Sequence, residues 1–380
     1  MEFIIGSGIA AVALYTAAKW NPAVSERKKI EHVFRNIGYR VKDHEPTLVR
    51  RNKKESSMEY VYSVPFGLID DPKLQPTLEK TLSKPVEIKF RGKLIIKVYN
   101  KSLSKLIHYD EQVTNDWIVP IGYTLNEQIR HDFDSIPHMT IAGMTRQGKT
   151  VLLKLILTQL ILNKPDDVEF YIIDLKGGLE FGPLEKLKQI KKVASNVREA
   201  YQVLQEVQKN IKRDMQLFRS NDYSNVLDTS IKKRTFIIVD EGAQLSPGKH
   251  HTKDEKQMFN YCQEVLSEVC RVAGALGYRN IFCTQYPTAD TLPRQIKQNS
   301  DAKISFRLPT GIASRVAIDE QGAEELGNVG RAIYRTHTKH VLQVPFISDD
   351  VMWSRLGRYE RDASVEKEDQ ASRDNTIEFG

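Results

Sequence analysis

Gly143-Met144-Thr145-Arg146-Gln147-Gly148-Lys149-Thr150 is the stretch that decides the fold. A short apolar run at 139–142 precedes it, and a helical pattern at 151–162 follows. In a strand–loop–helix setting, the glycines let successive backbone N–H groups turn inward around a phosphate. The new helix then aims its positive dipole end at that phosphate. Lys149 is expected to reach the β- and γ-phosphates of ATP, and the Thr150 hydroxyl to ligate Mg²⁺.

Outward from this loop, strands alternate with helices, which predicts an α/β fold with a parallel sheet covered on both faces. Strands are expected at 139–142, 169–174, 235–240, 280–284 and 302–308, with a short pair at 331–335 and 340–344. Long helices are expected at 149–162, 196–218 and 255–276. Upstream, residues 25–38 have helical periodicity and a glycine stop. Alternating segments at 47–51 and 59–64, a helix at 74–82 and a hairpin-like pair at 86–90 and 93–99 complete an α-β-β-α-β-β unit. The boundaries read as a hydrophobic helix over 1–22, a small basic α+β domain over 23–115, a motor over 116–350 and a tail over 351–380.

A nucleotide-hydrolysing site also needs a carboxylate for the Mg²⁺ shell and a group that orients water. Phe236-Ile-Ile-Val-Asp240-Glu241 supplies both, with Asp240 on the metal through water and Glu241 polarising the lytic water. A further strand ends in Thr284-Gln285, and a polar tip beside the phosphate loop is either a γ-phosphate sensor or a plain loop-starter. Lys303, Arg307 and Arg315 are candidates for the cation that meets the developing charge, and spacing does not choose among them.

Charge is distributed unevenly. The chain has 56 basic and 49 acidic residues among 380, a mild bias toward polyanionic partners. Residues 21–110 carry about +8, and the tail from Tyr359 onward about −4. The basic surplus is either an ordinary solvated surface or one facing DNA or lipid. The acidic tail is too poor in large apolar residues to offset its ordering entropy, so it is expected to be disordered. Cys262, Cys270 and Cys283 show no metal-ligand spacing and read as core fillers in a reducing compartment. Residues 3–18 are uncharged and are followed by Lys19, Arg27, Lys28 and Lys29. This polarity predicts a single-pass anchor in the cell membrane with the bulk of the chain in the cytoplasm. A helix lying on the membrane or on a partner is the alternative.

Taken together, these segments resemble the motor domain of the FtsK/SpoIIIE family of DNA translocases, in the HerA–FtsK branch of P-loop ATPases. Trp117-Ile-Val-Pro-Ile-Gly122 and Ile136-Pro-His-Met-Thr-Ile-Ala-Gly143 are similar to the family's lead-in, and Asp174-Leu-Lys176-Gly177 to its Asp-Pro-Lys-Gly segment. Ser314-Arg315 and Asp319-Glu-Gln321-Gly322-Ala323-Glu324-Glu-Leu326-Gly327 are similar to its closing block. The resemblance implies a RecA-like motor that assembles as a homo-oligomeric ring, usually a hexamer, and threads duplex DNA with ATP. It assigns Gln285 as sensor and makes Arg315 the first choice for the arginine acting in trans.

Arg146-Gln147, Lys303 and Ala323 depart from the usual family residues without removing a group that hydrolysis needs. DNA contact would be mainly to phosphates and sequence-independent, with Arg294 and Lys297 as candidate pore-facing cations or solvated loop charges. The overall pattern looks most like short DNA-transfer ATPases of conjugative elements, working at a membrane in conjugative transfer or DNA segregation, with conjugation or secretion machinery as partner. The competing reading is a secretion-system ATPase of the same branch that moves polypeptide. A non-hydrolysing nucleotide switch is a third, and the intact Asp240-Glu241 pair argues against it.

Overall fold

The structure, a computed structural model, describes residues 24–249 and 251–361. The expected anchor at 3–18 lies outside the described residues, as does the tail from residue 362 onward. Among the described residues no helix is long and apolar enough to cross a membrane. The chain divides into two compact units after Leu103.

The first unit follows the expected order: α1 (Glu26–Ile37), β1 (Thr47–Lys53), β2 (Ser57–Ser63), α2 (Leu74–Leu82), β3 (Val86–Phe90) and β4 (Leu94–Tyr99). Ser25 caps α1 by accepting from Lys28 N, and Gly38 ends it in the left-handed region at φ +69°. The strands pair antiparallel in the order β1-β2-β4-β3. Ile30, Val33 and Phe34 of α1 and Leu74, Leu78 and Leu82 of α2 share a core with Tyr60, Tyr62, Leu94, Ile96 and Val98 of the sheet. Burying side chains of this size stabilises by about 1.5–3 kcal/mol each.

The second unit is built on ten strands. In chain order its elements are β5 (Ile118–Tyr123), β6 (Gln128–Asp132), β7 (Met139–Ala142), α3 (Lys149–Asn163), β8 (Val168–Asp174), β9 (Ile190–Ala194) and α4 (Val197–Ser220). There follow β10 (Arg234–Asp240), α5 (Lys253–Val272), β11 (Tyr278–Thr284), α6 (Arg294–Gln298), β12 (Ala302–Ser305), α7 (Gly311–Ile318), β13 (Arg331–Arg335), β14 (Lys339–Gln343) and α8 (Asp349–Leu356). The sheet order is β6-β5-β14-β13-β12-β7-β11-β10-β8-β9. The six strands from β12 to β9 are parallel, and an antiparallel extension, β13-β14-β5-β6, continues past β12. This is the expected α/β fold, a largely parallel sheet flanked by helices.

Alternation along β10 shows how the two faces are filled. Phe236 and Ile238 enter the core that holds α3, and Ile237 and Val239 the core beneath α4 and α5. α3 is buried on nearly every side, which is why its sequence is apolar all round rather than striped. α4 and α5 instead present apolar stripes, Ala200-Val203-Leu204-Val207 and Cys262-Val265-Leu266-Val269, to that second core. Cys262, Cys270 and Cys283 are all free and buried, as core fillers should be.

Three expectations change. Residues 104–115, expected with the small unit, run with the large one. Tyr109 OH donates to Gln159 Oε1 at 2.9 Å and Thr114 N to Asn163 Oδ1 at 3.0 Å, fastening them to α3. The start of the expected disordered tail is ordered: α8 covers Asp349–Leu356 and buries Met352 and Leu356 in the α3 core. β12 stops at Ser305 rather than continuing to 308, because the chain turns there to pass under the phosphate loop, with Phe306 N donating to Ala142 O at 2.8 Å.

Candidate nucleotide site

Ala142, Asp174, Asp240, Thr284 and Ser305 end neighbouring parallel strands at one edge of the sheet. The carboxyl edge of a parallel sheet is where an α/β fold places ligands. Residues 143–148 link β7 to α3 at this edge. Gly143 and Gly148 adopt φ +156° and +118°, and Cβ atoms there would meet Phe306 at 2.6 and 3.0 Å. Gly143 N donates to Thr284 O, and Met144 N to Arg307 O at 3.0 Å. From outside the parallel core, Gly330 N donates to Gln147 O, also at 3.0 Å. The loop is therefore held from three sides, and it leads directly into the first amides of α3, which an α-helix leaves without intrahelical partners. Arg146 is exposed and sits at φ +62°, a left-handed conformation that costs a non-glycine residue about 1 kcal/mol.

Lys149 is 5% exposed, and its Nζ stands 3.9 Å from Glu241 Oε2 with no hydrogen-bond partner. Burial pulls its ammonium below the usual lysine range against the opposing pull of Glu241. Asp240 is fully buried, and its Oδ1 has no hydrogen-bond partner. Glu241 takes a left-handed backbone at φ +63°, where the chain breaks from β10 into a tight turn, and its Oε1 accepts from Gln285 N at 3.2 Å. Gly242 is forced by packing, since a Cβ there would lie 2.0 Å from Phe282 Cζ.

Gln285 lies against the phosphate loop: Thr145 Oγ1 donates to its Oε1 at 2.9 Å. One strand tip thus touches both the loop and the Glu241 carboxylate. A strand tip that contacts both can couple the loop to that carboxylate. Cys283 is fully buried just before this tip, and burial holds its thiol well above the usual range, so it stays a neutral filler beside Lys149.

Lys176 joins the site although its residue pattern did not place it there. Its Nζ lies 3.2 Å from Asp240 Oδ2 and 3.5 Å from Glu241 Oε2. Burial acts to lower its pKa, but the two carboxylates together outweigh that and raise it above the ordinary lysine value. The signal was present in the Lys-Gly segment, but no spacing rule says that its lysine folds back across the strand ends. His138 of the Pro-His lead-in is structural: it is buried, accepts from Asn280 N at 3.1 Å, and burial pushes its pKa down to about 3.

The residues present fit a magnesium nucleotide. Asp240 Oδ1 and Glu241 Oε2 are buried acidic oxygens without hydrogen-bond partners, and Mg²⁺ in such sites takes one or two carboxylates plus phosphate oxygens. Thr150, at the start of α3, and Asp240 would hold the ion. Among the described residues no group of three or more His, Cys, Asp or Glu could hold a metal ion by itself.

The other candidate cations divide. Lys297 is not a free pore cation: it bonds Asp319 Oδ1 at 2.8 Å and the carbonyl of Arg315 at 3.4 Å. Lys303 is held by Ser300 O and by Asp319 at 3.6 Å. Burial acts to raise the Asp319 pKa, yet Lys297, Lys303 and Arg335 hold it below the usual carboxylate range. Asp319 caps α7 in the left-handed region and accepts these cations at the end of the helix that carries Arg315. Arg294, Arg307 and Arg315 are exposed. Ser314 is fully buried; it donates to Glu320 O and accepts from Ala323 N, so the Gln321-Gly322-Ala323 turn is locked to α7.

The sequence profile of the FtsK/SpoIIIE family matches residues 112–345. Among curated proteins, the DNA translocase FtsK of Streptococcus pneumoniae is 28% identical over 256 residues, covering 61% of this chain and 32% of its own length. That of Chlorobaculum tepidum is 26% identical over 294 residues, covering 71% and 34%. The chain thus spans about a third of the length of these relatives. Among solved structures, the monomer form of the pCW3 conjugation coupling protein TcpA with ATPγS aligns with a TM-score of 0.64 at 22% identity, over 88% of this chain and 99% of that one. The cytoplasmic domain of the type VII secretion ATPase EccC of Thermomonospora curvata aligns at 0.55 and 21% identity, over 66% and 32%. At these identities the structural likeness establishes the fold.

Proposed function

The chain belongs to the FtsK/SpoIIIE family of P-loop ATPases, and from that premise we propose that it hydrolyses ATP to move duplex DNA, as a subunit of a homo-oligomeric ring. The observation that carries this reading is the cluster at the carboxyl edge, where Lys149, Asp240, Glu241 and the Thr145–Gln285 contact converge on one loop. When bound, Mg²⁺, which Thr150 and Asp240 would hold, would supply neutralisation of phosphate charge. Lys149 binds those phosphates, Glu241 orients and deprotonates the attacking water, and Gln285 reports the loop's state to β11. Arg315 serves the neighbouring subunit's site, because it is exposed on a helix whose end is pinned by Asp319.

DNA is held through its phosphates without sequence preference, with Arg294 as an exposed contact. The ring is a hexamer in this reading, held at the cytoplasmic face of the cell membrane by residues 3–18. Its role is conjugative transfer rather than segregation. The near-complete alignment with the coupling protein structure, which extends beyond the motor, supports that choice.

The test is ATPase rate against duplex, single-stranded and no DNA at low and moderate salt. Stimulation by duplex DNA that weakens steeply with salt is expected. Stimulation by a secreted polypeptide instead, with none by DNA, would transfer the chain to polypeptide export.

A further inference from the structure

β8 ends at Asp174, directly opposite Asp240 in the sheet. The buried Asp174 carboxylate accepts from Lys176 N, Glu180 N and Phe181 N at 3.2, 3.2 and 3.3 Å, and so folds residues 175–181 into a loop. Lys176 leaves this loop to place its ammonium between Asp240 and Glu241. The next two residues, Gly177 and Gly178, sit at φ +85° and +69°, positive-φ joints that glycine adopts without a Cβ penalty. Leu179 follows at the tip, 83% exposed. The far end is hinged: Glu180 pairs with Lys154 of α3 at 3.4 Å, and Lys154 with Asp349 of α8 at 2.7 Å.

We propose that Lys176 is a resident counter-cation of the catalytic carboxylates that competes with Mg²⁺ for them, so that metal loading expels the ammonium and swings the Lys176 side chain and residues 177–179. The proposal rests on the nucleotide reading of the site. An ammonium 3.2 Å from Asp240 Oδ2 and a divalent ion held by the same buried carboxylate would face each other as like charges at a few ångströms. A fully buried Asp240 also does not tolerate standing without a cation, so ammonium and metal are alternative partners. Lys149 does not fill this place: its Nζ pairs with Glu241, at 3.9 Å, and not with Asp240. The Asp174 cap and the Glu180–Lys154 pair fix both ends of the loop, which confines the displacement to the two glycine joints and the exposed Leu179. Lys176 is accordingly a positioning residue, and the loop is the moving part that metal loading controls.

The experiment measures the affinity of the full chain for a fluorescent non-hydrolysable ATP analogue, once with EDTA and once with Mg²⁺. It compares the ratio of the two affinities in wild type, Lys176→Met and Lys176→Arg. Lys176→Met should enlarge the gain from Mg²⁺ by about tenfold, since no cation has to be expelled. Lys176→Arg, which keeps the charge, should stay near the wild-type ratio. Amide exchange at 175–181 should rise on adding Mg²⁺ to the wild-type nucleotide complex and stay flat in Lys176→Met. An unchanged ratio in Lys176→Met, or equal shifts in the Met and Arg variants, overturns the counter-cation. Failure of wild type to bind nucleotide under either condition would instead overturn the nucleotide site itself.

Discussion

Lys149 and Glu241 face each other in a nearly dry corner, and removing either leaves the other's charge buried with a weakened field around it. The roles proposed for them differ, and so do the expected outcomes. Glu241→Gln keeps the shape and removes the base, so turnover should fall by about 10²- to 10³-fold while nucleotide affinity stays within a few-fold of wild type. Lys149→Ala removes the phosphate ligand, so affinity and turnover should both collapse. Parallel ATPase and nucleotide-binding titrations check the pair, and a Glu241→Gln protein with near-wild-type turnover would remove Glu241 from the water-orienting role. Both Glu241 and Arg146 hold left-handed backbones without being glycine, which is the kind of strain that accumulates where a site must present groups outward. For Arg146 this gives a conformation and an exposed side chain; no contact in the structure explains why arginine stands there.

Among the elements, β10 and β11 set the site from both of their ends. At the carboxyl end Gly242 abuts Phe282, so Gly242→Ala must push a buried ring aside. It should cost about 1–3 kcal/mol of stability by chemical denaturation and, by displacing Glu241, lower turnover about ten- to a hundredfold. At the opposite end Asp134 accepts from Arg234 Nε at 2.8 Å and from the buried Arg279 Nη2 at 2.7 Å. Burial acts to raise the Asp134 pKa, but the two guanidinium groups hold it below the ordinary carboxylate value. The folded state therefore favours the ionised form. The stabilisation is complete above the unfolded value of about 4 and is lost as pH falls through the lowered folded value. Asp134→Asn should destabilise by roughly 2–4 kcal/mol at pH 7, and the Tm gap to wild type should narrow below about pH 4. The parallel strands and long helices were legible in the sequence because apolar runs punctuated by Gly, Asp-Glu and Thr-Gln mark them directly. β6 and β9 were not, since Gln128–Asp132 and Ile190–Ala194 are edge strands whose polar residues mimic loops, and neither was β5, whose run Ile118–Tyr123 is interrupted by Pro120. That Lys149, Asp240 and Glu241 stand at the ends of neighbouring strands and loops could be read from local pattern, whereas for Gln285 that pattern left sensor and loop-starter open. The position of Lys176 could not, because it depends on a hairpin of backbone bonds to Asp174.

For the molecule as a whole, a motor with its arginine in trans must fail in a manner that mixing repairs. Arg315→Ala alone should lose nearly all turnover while still binding nucleotide, and Lys149→Ala alone should be inactive. Equal amounts of the two, assembled together, should recover activity at about a quarter of their interfaces, where an intact phosphate loop meets an intact Arg315. No recovery in co-assembled rings, with both proteins folded, would move the trans role to Arg307 or another exposed cation. The composition that hides all three thiols in the core makes such a machine convenient to watch. With Cys262, Cys270 and Cys283 buried, the native surface is chemically silent to maleimide dyes. One cysteine introduced at an exposed position, such as Leu179 or Arg294, would therefore carry a single fluorophore per subunit on an otherwise unlabelled wild-type background.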